Sequence, residues 1–453
     1  MIGLKFEFVQ SNEYLTTHTG LTAIGALLAK TNLGARLNKT VLPENPNPDI
    51  SNADVMKSYL GLLCQGKSDF DHIEPFRQDD AFSISLDIRD VPSSPTLRQR
   101  LDMAGSSIWK DIVLEESADL LRRVAAPLTG VDLLVLGEKE RTTLLPLDID
   151  VSPFDNSRTK KEGVSRTYKG HDGFAPIFSY LGKEGYGVHV ELREGSVHCQ
   201  KNTDEFLKAS IQYARRVTDR PLLVRMDAGN DCLANLKVCH TQETRADYII
   251  KKNLRRDPKE TWLLFAQDLG ICCEEREGKK VYIGSMLIRE QGFDEPLRQV
   301  FRVIERTISR EGQIFLVPEI EVEVYWTSLR CSAWRVIELY RDHGTSEQYH
   351  SEIKTDLDLE RLPAGKFATN NLILHAGVFA YNMLRLMGQL SLQIPDSPIR
   401  NNVGRRRIRT VIQNMIYHAS RLVRHARQVK FAFGTHSPWF QTLRRVYLTI
   451  LTT

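Results

Sequence analysis

Apolar residues follow two different periods along this chain, and the change of period divides it. Leu21, Ile24, Leu27 and Leu28 recur at helical spacing and predict a helix over about 20–32, after a possible short strand at 4–10. Residues 42–54 hold three prolines and read as a loop, and Ser51 or Asn52 can cap a helix running on to about Cys64. Another helix starts near Ser93 or Ser94, either of which can cap it, and 108–126 is helical again. The first ~130 residues therefore read as an all-helical module. Beyond them, 142–151 (TTLLPLDIDV) is an apolar run ending in acids, and 185–195 alternates as a strand does. Residues 220–230 form an apolar strand that ends at Asp227 and a glycine turn, and 246–253 is another short strand. Helical spacing at 203–216 separates two of these strands, which argues an α/β layer. Residues 260–330 return to β character and 331–391 are helical, with no internal repeat.

Composition adds bounds. At 453 residues, with 42% hydrophobic and 26% charged, the chain can build a large core. The most apolar stretch, 371–390, contains His375, Asn382 and Arg385, so it reads as a buried helix of a soluble protein, and no membrane partner is expected. The start lacks a signal-peptide pattern, and seven cysteines without regular spacing suggest reduced thiols in the cytoplasm. The net charge of +4 hides an uneven distribution. Residues 401–453 hold ten Lys/Arg and no acid, leaving 51 Lys/Arg against 57 Asp/Glu, or −6, in the first 400. A basic tail that is also apolar predicts a folded, helical element with a cationic face for phosphate-bearing partners. Arg421, Arg424 and His425 would share one face of such a helix, with Arg427 close by. Residues 43–90, by contrast, carry ten acids and four bases and are poorly suited to phosphate.

Several motifs can be set aside. Gly61-Leu-Leu-Cys-Gln-Gly66-Lys67-Ser68 matches a phosphate loop in letters, but that loop needs a strand before it, whereas Ala53–Leu63 reads as helix and Gly66 as its C-cap. Cys232, Cys239, His240, Cys272 and Cys273 have the wrong spacing for zinc, and no G-x-S-x-G elbow is present. The carboxylates carry more. Asp148 and Asp150 lie two apart on a strand and so point to one face, and Asp227 ends a second strand. Acids at buried strand ends are costly unless paired or bound to cations. A third acid, Glu347, sits in YRDHGTSEQYHSEIK (340–354). On an unbroken helix Tyr340, His343, Glu347 and Lys354 fall at roughly 0°, 300°, 340° and 320°, on one face. Alternatively Thr345 and Gln348 form a capping box and the helix starts there.

The order Asp150, Asp227, Glu347, with Y-x2-R-x3-E-x6-K around the Glu, resembles the DDE transposases of bacterial insertion sequences, in the group with a β-rich insertion before the catalytic Glu. The 120 positions from Asp227 to Glu347 leave room for that insertion, and LDID (147–150), YKGHDGFAPIFSYL (168–181), RMDAGN (225–230) and HGTSEQ (343–348) are similar phrases. The resemblance implies an α/β, ribonuclease-H-like core with a helical N-terminal domain and a helical basic C-terminal region. Its divisions would be 1–135 for DNA binding or dimerisation, 136–255 and 331–395 for the core, 256–330 for the β-rich insertion, and 396–453 for the basic region. It implies Asp150, Asp227 and Glu347 as catalytic ligands of two Mg²⁺ ions, for which Mn²⁺ can substitute, with Asp148 as the rival for the first position. It implies DNA contacts from Tyr340, His343, Lys354, Arg158, Lys160, Lys161 and Trp326. Arg166 and Lys169 belong to the same basic loop. The implied partners are double-stranded DNA with terminal inverted repeats, target DNA, and a second subunit in a homodimer, in the nucleoid of a bacterial cytoplasm. The implied activity is cleavage at element ends and strand transfer; a cleavage-inactive, DNA-binding descendant is the alternative. One position departs from the pattern: His343 stands where the family has Arg, with Arg341 two residues away.

Overall fold

A computed structural model describes residues 6–135, 141–255, 257–309, 311–399, 403–426 and 428–453. The chain forms two compact units, Met1–Arg100 with Met383–Thr453, and Leu101–Asn382.

The second unit is built on a ten-stranded sheet. Its strands are β1 (Arg141–Val151), β2 (Ile177–Leu181), β3 (Tyr186–Glu191), β4 (Leu222–Met226), β5 (Asp247–Lys251), β6 (Ile271–Arg276), β7 (Lys279–Ile288), β8 (Leu297–Ile308) and β9 (Ile314–Thr327), with Val131–Leu134 paired to the start of β1. One half has the order β3-β2-β1-β4-β5. There β1, β4 and β5 run parallel, while β2 is antiparallel to β1 and β3 to β2. This is a ribonuclease-H-like topology. The buried apolar runs at 144–149 and in LLVRM suit strands covered on both faces. The helix Thr203–Val217 makes the crossover from β3 to β4. It buries Phe206, Leu207, Ile211 and Ala214, with acids in its first turn and arginines in its last.

The β-rich segment extends this same sheet. β9 pairs antiparallel with β5, and β8, β7 and β6 follow outward. One buried cluster runs from Leu223 and Ile249 through Val300 and Tyr325 to Val336, Ile337 and Leu339. Another packs Trp262 and Ala266 of the helix Lys259–Leu269 on Phe301 and Val303. From Ala333 to Asp356 the chain winds almost without a break, but its pitch changes: α-helix to Arg341, a 3₁₀ turn over Asp342–Thr345, α-helix over Ser346–Ser351 and a π turn over Glu352–Asp356. The alternative reading, a capping box at Thr345, does not hold, because Thr345 is itself helical and makes no side-chain cap.

Tyr349 fixes this helix to the β2–β3 turn. Its hydroxyl donates to the Lys183 carbonyl (2.9 Å), and its ring covers Gly185, where a Cβ would stand 2.3 Å from the ring. Gly185 also has φ of +73°. Gly185→Ala should therefore cost on the order of 2–4 kcal/mol, from backbone strain plus overpacking. Gly170→Ala, with φ of +82° but open space around it, should cost only about 1–2 kcal/mol. Urea midpoints from tryptophan fluorescence compare the two.

No helix among the described residues is long and apolar enough to cross a membrane. His375 and Asn382 of the helix Phe367–Leu392 are buried with partners: His375 Nδ1 meets the Asn371 carbonyl (2.7 Å), and Asn382 bridges Gly187 and Ser117.

In the first unit Ser51 caps Asn52–Leu63 by accepting from the Asp54 N–H (3.0 Å). Gly61 lies inside that helix and Gly66 follows it at φ of +71°, so the phosphate-loop letters spell a helix end. Two expectations need correction. Residues 6–10 are not a strand, and residues 4 and 5 lie outside the described residues. The strand is Tyr14–Thr16, paired to Ser420–Leu422. The basic region is helical at Ile408–Val411 and Phe440–Thr452, but between them Ser420–His425 and Gln428–Phe433 form a hairpin. Arg421 and Arg424 thus share no helix face; three apart on a strand, they point to opposite sides. They pair with Glu13 (2.5 Å) and Asp80 (2.9 Å). Arg427 lies outside the described residues.

Candidate active site

Acids gather at the carboxyl ends of β1 and β4. The register sets Asp148 against Arg225 and Ile149 against Met226, so its next step brings Asp150 beside Asp227. Alternation along the strands puts Asp148, Asp150, Arg225 and Asp227 on one face.

The two acids of β1 have different surroundings. Asp148 is 1% exposed and accepts from Arg225 Nε (2.6 Å) and Nη2 (2.7 Å) and from His343 Nδ1 (3.0 Å). Arg225 Nη1 also donates to the Leu339 carbonyl (2.6 Å). Burial alone would raise the Asp148 carboxyl, but Arg225 and His343 outweigh it and hold it below the usual range. Burial likewise lowers His343, and Asp148 more than reverses this, so its imidazole sits above its ordinary value. Asp148 is therefore engaged on the inner side of the site.

Asp150 opens outward. With Asp227 and Glu347 it lines a cavity of about 660 Å³, together with Tyr168, Lys169, Arg341, His343, Ser346, His350 and Lys354. Asp150 Oδ1 accepts from the Val151 N–H (2.8 Å), and Oδ2 from Ser346 Oγ (3.1 Å) and His350 Nε2 (3.2 Å). Burial pushes Asp150 up, and the bonds and charges of His350, His343 and Ser346 bring it below the usual range. Asp227 goes the other way, raised by burial and by the charge of Asp150, despite a bond from Asn230 (2.6 Å). A carboxylate whose charge is disfavoured both by burial and by an ionised neighbour, on an open cavity, is a place for a cation. All-oxygen donors of this kind suit a hard divalent ion such as Mg²⁺ or Mn²⁺. Among the described residues, no three His, Cys, Asp or Glu side chains stand close enough together to hold a metal ion as placed.

On this cavity the structure brings together Asp150, Asp227, Glu347, Tyr340, His343 and Lys354, all singled out from sequence, with Lys169 of the basic loop. Lys354 Nζ donates to the Pro153 carbonyl (2.6 Å), and burial lowers its pKa. His343 is mostly buried against Asp148, while Arg341, also on the cavity, is exposed. Four residues fall outside. Trp326 is 3% exposed and its indole N–H donates to Asp231 (3.0 Å), so its ring faces are covered by protein. Lys161 donates to Asn156 (3.1 Å) and to the Leu362 carbonyl. Arg158 and Lys160 are exposed in the segment that links β1 to β2. Sequence reading passed over Ser346, His350 and Tyr168. His350 had a signal: ten residues after Tyr340, at roughly 280°, it shares the helix face of Glu347.

None of the curated proteins matches this chain. Among solved structures, a cryo-EM structure of a piggyBac transposase synaptic complex with hairpin DNA is similar at 11% identity, over 90% of this chain and 82% of that one, with a TM-score of 0.43. The model of the family described as Transposase DDE domain group 1 matches residues 5–453, nearly the whole chain, and the protein belongs to that family.

Proposed function

We propose that this chain is a transposase that cuts DNA at the ends of an insertion sequence and joins those ends to target DNA, using Asp150, Asp227 and Glu347. The supporting observation is the meeting of these acids, from two neighbouring strand ends and a helix 120 positions further on, on one cavity rimmed by Lys169, Arg341 and Lys354. A bound pair of Mg²⁺ ions would activate the attacking oxygen and stabilise the leaving one. The acids would hold those ions. The cationic rim would hold the DNA backbone, which is sequence-independent and salt-sensitive. Arg341, exposed on the cavity, is better placed than His343 to meet a phosphate, because the His343 ring is committed to Asp148. Lys354 stands at the cavity wall beside β1. Arg158, Lys160, Arg166 and Lys169 offer further phosphate contacts in the segment that links β1 to β2. The working form would be a homodimer on paired inverted repeats, in a bacterial cytoplasm.

The test is nicking of double-stranded DNA carrying the element ends. Cleavage should appear with Mg²⁺ or Mn²⁺ and vanish with EDTA. DNA binding without cleavage under any divalent ion would assign the chain to inactive, DNA-binding descendants instead.

A further inference from the structure

The side chains behind Asp150 form a connected path from the core to the cavity. Tyr180, fully buried on β2, places its hydroxyl 3.0 Å from His350 Nδ1. His350 Nε2 lies 3.2 Å from Asp150 Oδ2, and Ser346 Oγ donates to that same oxygen (3.1 Å). Ser346 and His350 are one helical turn apart, on the helix that presents Glu347. The His350 ring is 5% exposed and tilts against Phe178 and Tyr180, with centroids 5.2 and 5.3 Å away. An ionised carboxylate only accepts, so the hydrogen of this bond belongs to Nε2, and Nδ1 of a neutral ring then accepts from Tyr180. Both ring nitrogens are engaged, so His350 is poorly placed to touch phosphate.

We infer that His350, braced by Tyr180 and assisted by Ser346, is a positioning residue that fixes the rotation of the Asp150 carboxylate for a divalent cation. This rests on the reading of Asp150 as a cation-holding acid. Free to rotate, Asp150 would have to be ordered at each binding event. Fixed by donors on the helix of Glu347, it is oriented together with the third acid. Partners that orient a ligating carboxylate typically govern metal affinity by about 10–100-fold.

The experiment titrates Mn²⁺ into the full chain without DNA, reads free Mn²⁺ by electron paramagnetic resonance, and follows nicking across the same concentrations. His350→Ala should weaken Mn²⁺ binding about 10–100-fold and shift half-maximal nicking to correspondingly higher Mn²⁺, with much of the rate recovered at saturation. His350→Gln, whose amide nitrogen can reach the place of Nε2, should restore most of the affinity. Tyr180→Phe should weaken it by less than His350→Ala does. If His350→Ala binds Mn²⁺ as wild type does, or lowers the rate equally at every concentration, the positioning role is wrong. Should the alanine variant fail to fold, Tyr180→Phe carries the same two outcomes. Asp150→Asn separates the premises: if it binds Mn²⁺ and nicks normally, the reading of the site fails. If it loses both while His350→Ala keeps wild-type affinity, only the positioning role fails.

Discussion

Asp227→Asn should lower nicking at element ends by on the order of 10³-fold, about 4 kcal/mol of transition-state stabilisation, while DNA affinity stays within about twofold. Affinity comes from cations meeting phosphates, and this substitution removes none. The same variant should also be no less stable than wild type, and slightly more stable without divalent ions. Asp227 is raised by its own burial and by the charge of Asp150, so the folded protein carries an unfavourable charge there. Neutral Asn keeps the acceptor that Asn230 meets (2.6 Å) and removes that charge. Activity lost with stability gained marks a residue kept for chemistry. Wild-type cleavage by Asp227→Asn would remove it from the site. Glu347→Gln should lose activity in the same way with little change in stability, because Glu347 is exposed.

The strands that carry these acids were legible in the sequence because parallel, doubly covered strands read as continuous apolar runs. LLPLDI and LLVRM needed no partner to be recognised. The hairpin at 420–433 was not, because Arg421, Arg424 and His425 also fit a helical spacing. Burial of Ser420 and Leu422 but not Arg421 shows the period of two that decided the matter. The pitch changes between Arg341 and Asp356 also escaped, yet the face shared by His343, Glu347, His350 and Lys354 survives them. Trp326 shows the limit of motif reasoning: its place at the end of the β-rich segment was legible, and the Asp231 that covers its indole nitrogen was not, being 95 positions away. Arg225 had a signal that went unused. An arginine in the middle of an apolar strand requires a buried partner, and its spacing from Asp227 puts it on the acid face.

That partner sets the second large effect. Asp148→Asn should destabilise the second unit by about 3–5 kcal/mol, because it leaves Arg225, 3% exposed, charged and buried without its counter-ion. Arg225→Met should cost a similar amount by stranding Asp148. The double variant Asp148→Asn, Arg225→Met should cost clearly less than the sum, since it leaves no lone buried charge. Unfolding in urea followed by tryptophan fluorescence suits the measurement, because four of the five tryptophans, 109, 262, 326 and 334, lie in this unit. The cycle also decides between the two aspartates of β1. If Asp148 were the metal-holding acid, its neutralisation would abolish nicking and leave the urea midpoint near wild type, as for Asp227. The proposed assignment, with Asp150 as the cation-holding acid, predicts the opposite. Arg225 joins Asp148 to the Leu339 carbonyl, and His343 joins Asp148 to the turn before Glu347, so this buried group clamps the acid-bearing helix to the sheet. Its loss should loosen that helix, and nicking should fall together with stability. Additive single costs, or an Asp148→Asn protein as stable as wild type, would show that the clamp contributes nothing and return Asp148 to candidacy as a ligand.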